Sequence, residues 1–309
     1  MAEIYFAGGC FWGVAHFFSG VGGVLGAVSG YAQGAPGFER RPSYEEVYTD
    51  TTGFAETVRV TYRPERISLE TLADLYFTII DPLSLNRQGH DEGTRYRTGV
   101  YYSDPTDLPV LQAAFERVSA RLGQPLAVEL EPLRNFFEAE ERHQDYLVKH
   151  PDGYCHLPSK VFKYLRLYQD LAALLGDEPD LVARMAEASA LIYERMKFFW
   201  VGFYRVAPAL TAEAQELVLG PFQGPAACLR IGYGKGVCGT SWKEARTVVV
   251  PDVEAFPGHI ACSSLSKSEI VVPVMRDGSV SAVLDIDSTA PDTFDSSDAV
   301  WLEKICKLI

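Results

Sequence analysis

Apolar residues recur at helical spacing through Leu69–Ile80, Leu108–Leu122 and Ala139–Lys149, and the pattern predicts a helix over each. Shorter runs at Glu3–Ala7, Thr57–Tyr62 and Thr98–Tyr102 read as strands, while Trp12–Phe18 is apolar enough to begin a helix behind Gly8-Gly9. Pro151-Asp152-Gly153 and Pro158-Ser159-Lys160 punctuate the middle of the chain, and its character changes there. Beyond them come two amphipathic helices, Val161–Leu175 and Asp180–Met196. Strands are then expected at Phe198–Val206, Glu216–Leu219, Ala227–Ile231, Thr247–Val250, Ile270–Met275 and Ser281–Asp287, with a closing helix from Ser296 to Leu308. The expected class is α+β in two domains, residues 1–158 and 159–309, with no internal repeat relating them.

Composition narrows the partners. A chain of 309 residues has room for about two domains, and 47% hydrophobic residues supply two cores. A net charge of −13 and a pI near 5.0 argue against nucleic acid or an anionic membrane as the main partner. No run approaches the roughly 18 apolar residues of a spanning helix. Residues 1–25 lack the basic and long apolar regions of a signal peptide, so a cytoplasmic location is expected. The six cysteines form no C-x-x-C pair, and no zinc-type histidine motif accompanies them; neither a metal nor an organic cofactor is expected. In a reducing compartment, thiols that cycle through a transient disulfide are the better reading.

Cys10 stands in Gly9-Cys10-Phe11-Trp12-Gly13, between a strand and a helix. That puts its sulfur at a helix N-terminus, where backbone N–H groups and the dipole favour a thiolate. A lone cysteine in such a turn is more often a packing residue, so its neighbours decide. Alternation along the following strand places Glu56 with Val58, Val60 and Tyr62 on the apolar face, where its carboxyl would stay neutral and serve as an acid. The competing reading leaves Glu56 solvated in the Thr52-Gly53 loop. A polar loop, Arg87–Tyr96, and Gly153-Tyr154-Cys155-His156 after a turn complete the set; a cysteine on such a segment can capture a sulfenic acid.

Together these residues resemble the peptide methionine-S-sulfoxide reductases of the A type. The likeness covers residues 3–157 through GCFWG, Pro42–Val47, Thr52–Glu56, the Arg87–Tyr96 loop and the terminal GYC. It implies an N-terminal two-layer α/β sandwich with Cys10 as the nucleophile on the sulfoxide sulfur. Phe11 and Trp12 would receive the methyl group, Glu56 would protonate the oxygen with help from Tyr44 and Tyr96, and Asp91 would shape the site. Cys155 would resolve the sulfenic acid as a disulfide, reset by thioredoxin or a similar dithiol. Tyr48 replaces a cysteine that the family often carries, and the chain runs on into His156-Leu157-Pro158, so no three-cysteine relay is expected.

The second half builds another constellation. Trp200, Gly202 and Tyr204 share one strand face, as do Val283, Asp285 and Asp287, and Glu269 precedes the strand at Ile270. Paired carboxylates on so apolar a strand need a cationic or protic partner. Cys228 falls on a predicted strand, Cys238 in the Gly232–Gly239 stretch, and Cys262 at the end of Gly258–Cys262. The Gly-x-Gly-x-Gly at Gly232–Gly236 lacks a predicted strand-turn-helix context, and a nucleotide-binding reading is rejected.

Residues 161–309 resemble the free methionine-R-sulfoxide reductases, which are GAF-domain enzymes with a central antiparallel sheet flanked by helices. WVGFY at Trp200–Tyr204, LVLGPFQG, ACLRI, GKGVCGT, DVEAFPGHIAC, SEIVVP and LDIDS carry the likeness. It implies Cys262 as nucleophile, Cys228 as resolving partner, and Cys238 as an alternative resolver or site residue. Glu269, Asp285 and Asp287 would hold the ammonium and help protonate the oxygen, Trp200 and Tyr204 would wall the pocket, and Asp252 is a weaker candidate. Such an acid cluster selects the free amino acid, because a methionine inside a peptide has no ammonium to offer it. Cys306, beside Leu302, is expected in the core. The expectation is a bifunctional reductase acting on oxidised proteins and free methionine sulfoxide. The alternative is a reductase regulated by a ligand-sensing, non-catalytic GAF domain.

Overall fold

The first strand, β1 (Ala2–Gly8), is buried on both faces from Ile4 onward, as a central strand must be. The computed structural model describes residues 1–210, 215–260 and 262–309. Two compact units appear, Met1–Phe162 and Lys163–Ile309.

In the first unit β1 leads through Gly8-Gly9 into α1 (Phe11–Ser19). β2 (Val24–Ala32), α2 (Tyr44–Tyr48), β3 (Ala55–Tyr62) and α3 (Leu69–Tyr76) follow. Then come β4 (Thr98–Tyr102), α4 (Leu108–Leu122), β5 (Glu129–Pro132), β6 (Phe136–Glu138) and α5 (Tyr146–Lys149). The strands form one sheet in the order β5-β4-β1-β3-β2-β6, antiparallel except for the β4–β5 pair. α1 packs on β1, β2 and β3. The helix expected over Ala139–Lys149 is two short pieces, a 3-10 turn at Glu141–His143 and α5. Asp145 between them takes a left-handed conformation (φ 52°). Gln144 explains the break: its amide accepts from the Ser29 N–H (3.0 Å) and donates to the Ser29 carbonyl (2.8 Å), pinning the chain to β2.

The second unit contains most of α6 (Ser159–Leu175), then α7 (Leu181–Met196), β7 (Trp200–Pro208), β8 (Gln215–Gln223), β9 (Arg230–Gly232), α8 (Gly236–Glu244), β10 (Val248–Val250), β11 (Ser268–Arg276), β12 (Ser279–Ser288) and α9 (Ser296–Cys306). Its antiparallel sheet runs β9-β8-β7-β12-β11-β10. α7 packs on β7 and β8, and α9 on β11. Two expectations fail here. Cys228 precedes β9 instead of lying on a strand, and Gly232–Gly236 does sit between a strand and a helix. α8 escapes the pattern because its two glycines and Thr-Ser pair are weak helix formers. The nucleotide reading gains nothing, since β9 pairs antiparallel and the described strands of this sheet pair only antiparallel, so no β-α-β crossover surrounds the glycines.

Buried polar groups in this unit are tied to one another. The Tyr164 hydroxyl donates to Asp298 (2.9 Å), which also completes the α9 capping box by accepting the Asp295 N–H (2.9 Å). We expect Tyr164→Phe to lower the stability of this unit by about 1–2 kcal/mol, read as a lower urea midpoint at unchanged slope.

Candidate functional sites

Cys10 is the N-cap of α1, and Glu56 lies at the start of β3, one strand away from β1. Gly9 allows the tight entry: it adopts φ 82°, and a side chain there would strike Gln88. The two groups meet at the helix end, where the Phe11 N–H donates to a Glu56 carboxylate oxygen (2.9 Å). Glu56 is only 1% exposed, so the solvated-loop reading falls. Burial pushes its pKa from 4.5 up to about 8, against the Phe11 hydrogen bond, with Asp91 raising it further. The Cys10 thiol is also pushed well above its usual range, by burial first and the Glu56 charge second, while a backbone hydrogen bond from Trp12 lowers it. The resting form is therefore a thiol. The helix terminus alone suggested a thiolate, and desolvation outweighs it.

Aromatic side chains frame this thiol. Trp12 stacks on Tyr146 (centroids 3.6 Å apart) and donates its indole N–H to His143 (3.3 Å). Phe11 is buried against Tyr31 and His143, and Tyr44 against His143. Tyr44 is raised to about 12 and Tyr96 is raised too, each by burial first and then by the Glu56 charge. Both hydroxyls thus stay protonated near that carboxyl. The Arg95 guanidinium stacks between Tyr48 (4.0 Å) and Tyr96 (4.5 Å) and is ion-paired to Asp50 (2.8 Å). Asp91 accepts from the Tyr154 hydroxyl (2.9 Å), which brings the Cys155 segment to the site. Cys155 is half-buried and, like Cys10, a free thiol. His143 and Tyr146 were not expected here: the helical spacing over Ala139–Lys149 predicted one continuous helix, whereas the break at Gln144-Asp145 sets the direction of both side chains.

In the second unit the strand register assembles the acids. Glu269 on β11 lies directly opposite Asp287 on β12, and Asp285 is two residues along the same face, opposite Gly202 of β7. They line a pocket with Trp200, Tyr204, Cys238 and Cys262. Burial raises all three acids, Asp287 to about 6 and the other two well above the usual range, and the like charges of neighbouring acids raise Glu269 and Asp285 further. One Asp285 oxygen is buried with no partner. Cys238 is buried and hydrogen-bonded to Asp285, a contact that holds its thiol protonated after burial and the acids' charges have already raised it. Cys262 and Cys228 are joined in a disulfide with Cα atoms 5.6 Å apart.

The polar tips of Trp200 and Tyr204 do not point free into the cavity. The indole N–H donates to the Pro225 carbonyl (3.0 Å) and the hydroxyl to the Cys228 carbonyl (3.0 Å), anchoring the loop that carries Cys228. Asp252 is a correction: it is exposed, caps the Val253–Ala255 turn by accepting the Glu254 N–H (2.9 Å), and does not line the cavity. His259, absent from the sequence reading, lines the cavity 3.7 Å from Glu269. Cys306 is buried on α9. Among the described residues, two groups bring metal-capable atoms within 4.8 Å, Cys10-Asp91-His156 and Cys238-Glu269-Asp285.

A peptide methionine sulfoxide reductase family model matches residues 2–171, and a GAF-domain model matches residues 177–309. The chain belongs to the peptide methionine sulfoxide reductase family and carries a GAF domain behind the reductase unit. Peptide methionine sulfoxide reductase MsrA of Clostridium acetobutylicum is 47% identical over 163 residues, 53% of this chain and 99% of the relative. GAF domain-containing protein A of Dictyostelium discoideum is 50% identical over 151 residues, 49% of this chain and 92% of the relative. A solved free methionine-R-sulfoxide reductase from Neisseria meningitidis, in complex with its substrate, is 47% identical, covers 49% of this chain and 88% of its own, and has a TM-score of 0.47. The protein is an oxidoreductase acting on methionine sulfoxide. No helix among the described residues is long and apolar enough to cross a membrane.

Glu56 also generates a stability prediction. Its folded pKa is raised from 4.5 to about 8, so the folded state binds the extra proton between those values. Stability therefore falls as pH climbs through that window and levels off above it. Glu56→Gln removes this dependence. We expect the variant's denaturation midpoint for the first unit to drop less than the wild type's between about pH 5 and about pH 9.

Proposed function

We propose that this chain reduces methionine sulfoxide at two thiol sites of opposite epimer preference, one carried by residues 1–158 and the other by residues 159–309. The observation that carries the first site is Glu56, a carboxyl held neutral near pH 7 and bonded to the N–H of the residue after Cys10. Cys10 attacks the sulfoxide sulfur while Glu56 gives its proton to the oxygen and takes up the thiol proton. Collapse releases methionine and leaves Cys10 as a sulfenic acid. Cys155 displaces that oxygen as water, and the disulfide is reduced by thioredoxin or a similar cytoplasmic dithiol. Phe11, Trp12, Tyr44, Tyr96 and Asp91 position the substrate, which is the S epimer in peptides or free.

At the second site Cys262 attacks the free R epimer, and the Cys228–Cys262 disulfide is the oxidised product of that turnover. Glu269, Asp285 and Asp287 lose their mutual repulsion when an α-ammonium enters, and a protonated member of the set serves the sulfoxide oxygen. Cys238 acts as a wall and hydrogen-bond donor. The competing reading, a sensing GAF domain that regulates the first unit, has no use for a disulfide in the cavity wall.

The decisive measurement gives racemic free methionine sulfoxide and dithiothreitol to the full chain and resolves both sulfur epimers over time. Cys10→Ser should abolish loss of the S epimer and Cys262→Ser loss of the R epimer; consumption of the S epimer alone by the wild type would refute the second site. Glu269→Gln should slow R-epimer turnover by about 100-fold or more, whereas Asp252→Asn, at an exposed turn cap, should leave it unchanged. Because Glu56 must be protonated, turnover of N-acetylmethionine sulfoxide should decline as pH rises past about 8.

A further inference from the structure

His156 follows the proposed resolving cysteine and has no part in the chemistry above, yet its partly buried ring lies beside both thiols. A side chain on Gly13 would start 3.1 Å from the His156 Nδ1 and 3.2 Å from the Cys155 sulfur. The imidazole and the second thiol thus share the space that Gly13 leaves open on the first turn of α1. A ring nitrogen of His156, the Cys10 sulfur and an Asp91 oxygen all lie within 4.8 Å of one another.

The tautomer follows from the backbone. Nε2 is 3.0 Å from the Gly8 carbonyl oxygen, which can only accept, so Nε2 carries the hydrogen of the neutral ring. Nδ1 then holds a lone pair, and it is buried with no hydrogen-bond partner. An orphaned Asp91 oxygen is buried in the same neighbourhood. Two unsatisfied polar atoms around a pair of thiols are costly unless a reaction uses them.

We propose that His156 is the general base of the step that closes the Cys10–Cys155 disulfide. The proposal rests on the reading of Cys10 and Cys155 given above. Nδ1 takes the proton from the Cys155 thiol as that sulfur attacks the Cys10 sulfenic sulfur. The S–S bond forms, the S–O bond breaks, and the imidazolium returns the proton to the departing hydroxyl, which leaves as water. No further oxidant or reductant is needed. The carbonyl of Gly8 holds the ring in place, and the Asp91 carboxylate steadies the transient positive charge. Burial lowers the His156 pKa, against Asp91 and the Gly8 bond, so the ring rests neutral and ready to accept. Cys10 from α1, Asp91 from the polar loop and Cys155 on its own segment are the titratable groups that face it. The bareness of Gly13 has the same cause.

The test mixes full-length protein, freed of reductant, with excess N-acetylmethionine sulfoxide, which offers no ammonium to the second site. Methionine product, dimedone-trapped sulfenic acid and the Cys10–Cys155-linked peptide are each followed over time. In His156→Gln, whose amide can still donate to Gly8, linked peptide should form about 100-fold more slowly while sulfenic acid accumulates and product release stays close to wild type. His156→Asn should behave alike, and both should lose the fall in disulfide-forming rate that the wild type shows as the imidazole is protonated below the ordinary histidine range. Disulfide closure at the wild-type rate in either variant overturns the proposal, as does loss of product release in both. Wild-type protein that releases product but never forms the linked peptide would instead overturn the assignment of Cys155, and the proposal with it.

Discussion

Burial of carboxyl groups that, among the described residues, form no ion pair with a lysine or arginine is the constraint on which both units turn. A charged acid in such a place is strongly penalised, so the group rests neutral and becomes a proton donor at a pH where exposed acids have none to give. Glu56 satisfies its remaining polarity through a single backbone N–H. The Glu269-Asp285-Asp287 set does so only in part, through one another, Ser266 and Cys238, and leaves one Asp285 oxygen buried without a partner. The thiols feel the same environment. Cys10 and Cys238 are held protonated, which lowers their reactivity toward oxidants.

The two units reach this condition by different backbone means. In the first, a strand start and a helix N-terminus converge, so one acid and one thiol meet across the sheet through an N–H shared with α1. In the second, two antiparallel strands in fixed register place acids opposite and diagonal to each other on one face. A one-residue slip of β11 against β12 would turn Glu269 away from Asp287, so register is what defines the pocket.

Much of this was legible in the residues. Alternation in β3 gave Glu56 its inward face, and alternation in β12 paired Asp285 with Asp287, because period-2 geometry is local. What stayed hidden depended on distant contacts. Gln144 breaks an apparent helix by bonding to Ser29, more than a hundred residues away. β2 carries Gly26 and Gly30 and is too weak a strand former to announce itself. α8 is hidden in the same way by its glycines. Asp252 was a weaker candidate within the resemblance, yet its carboxylate is used by its own turn. His143, His156 and His259 could not be weighed, since a histidine's role is set by what surrounds it in space.

The anchoring of the Cys228 loop by Trp200 and Tyr204 has a kinetic meaning. Those two bonds end on backbone carbonyls and contain no sulfur, so cutting the Cys228–Cys262 disulfide leaves them intact. The freed Cys228 thiol stays tethered near its partner instead of wandering with a slack loop. Its effective molarity toward an oxidised Cys262 is then far above that of any thiol in solution, and ring closure is favoured over capture by a passing small thiol. On the proposed mechanism, two aromatic side chains on one strand thereby favour Cys228 as the thiol that completes the turnover.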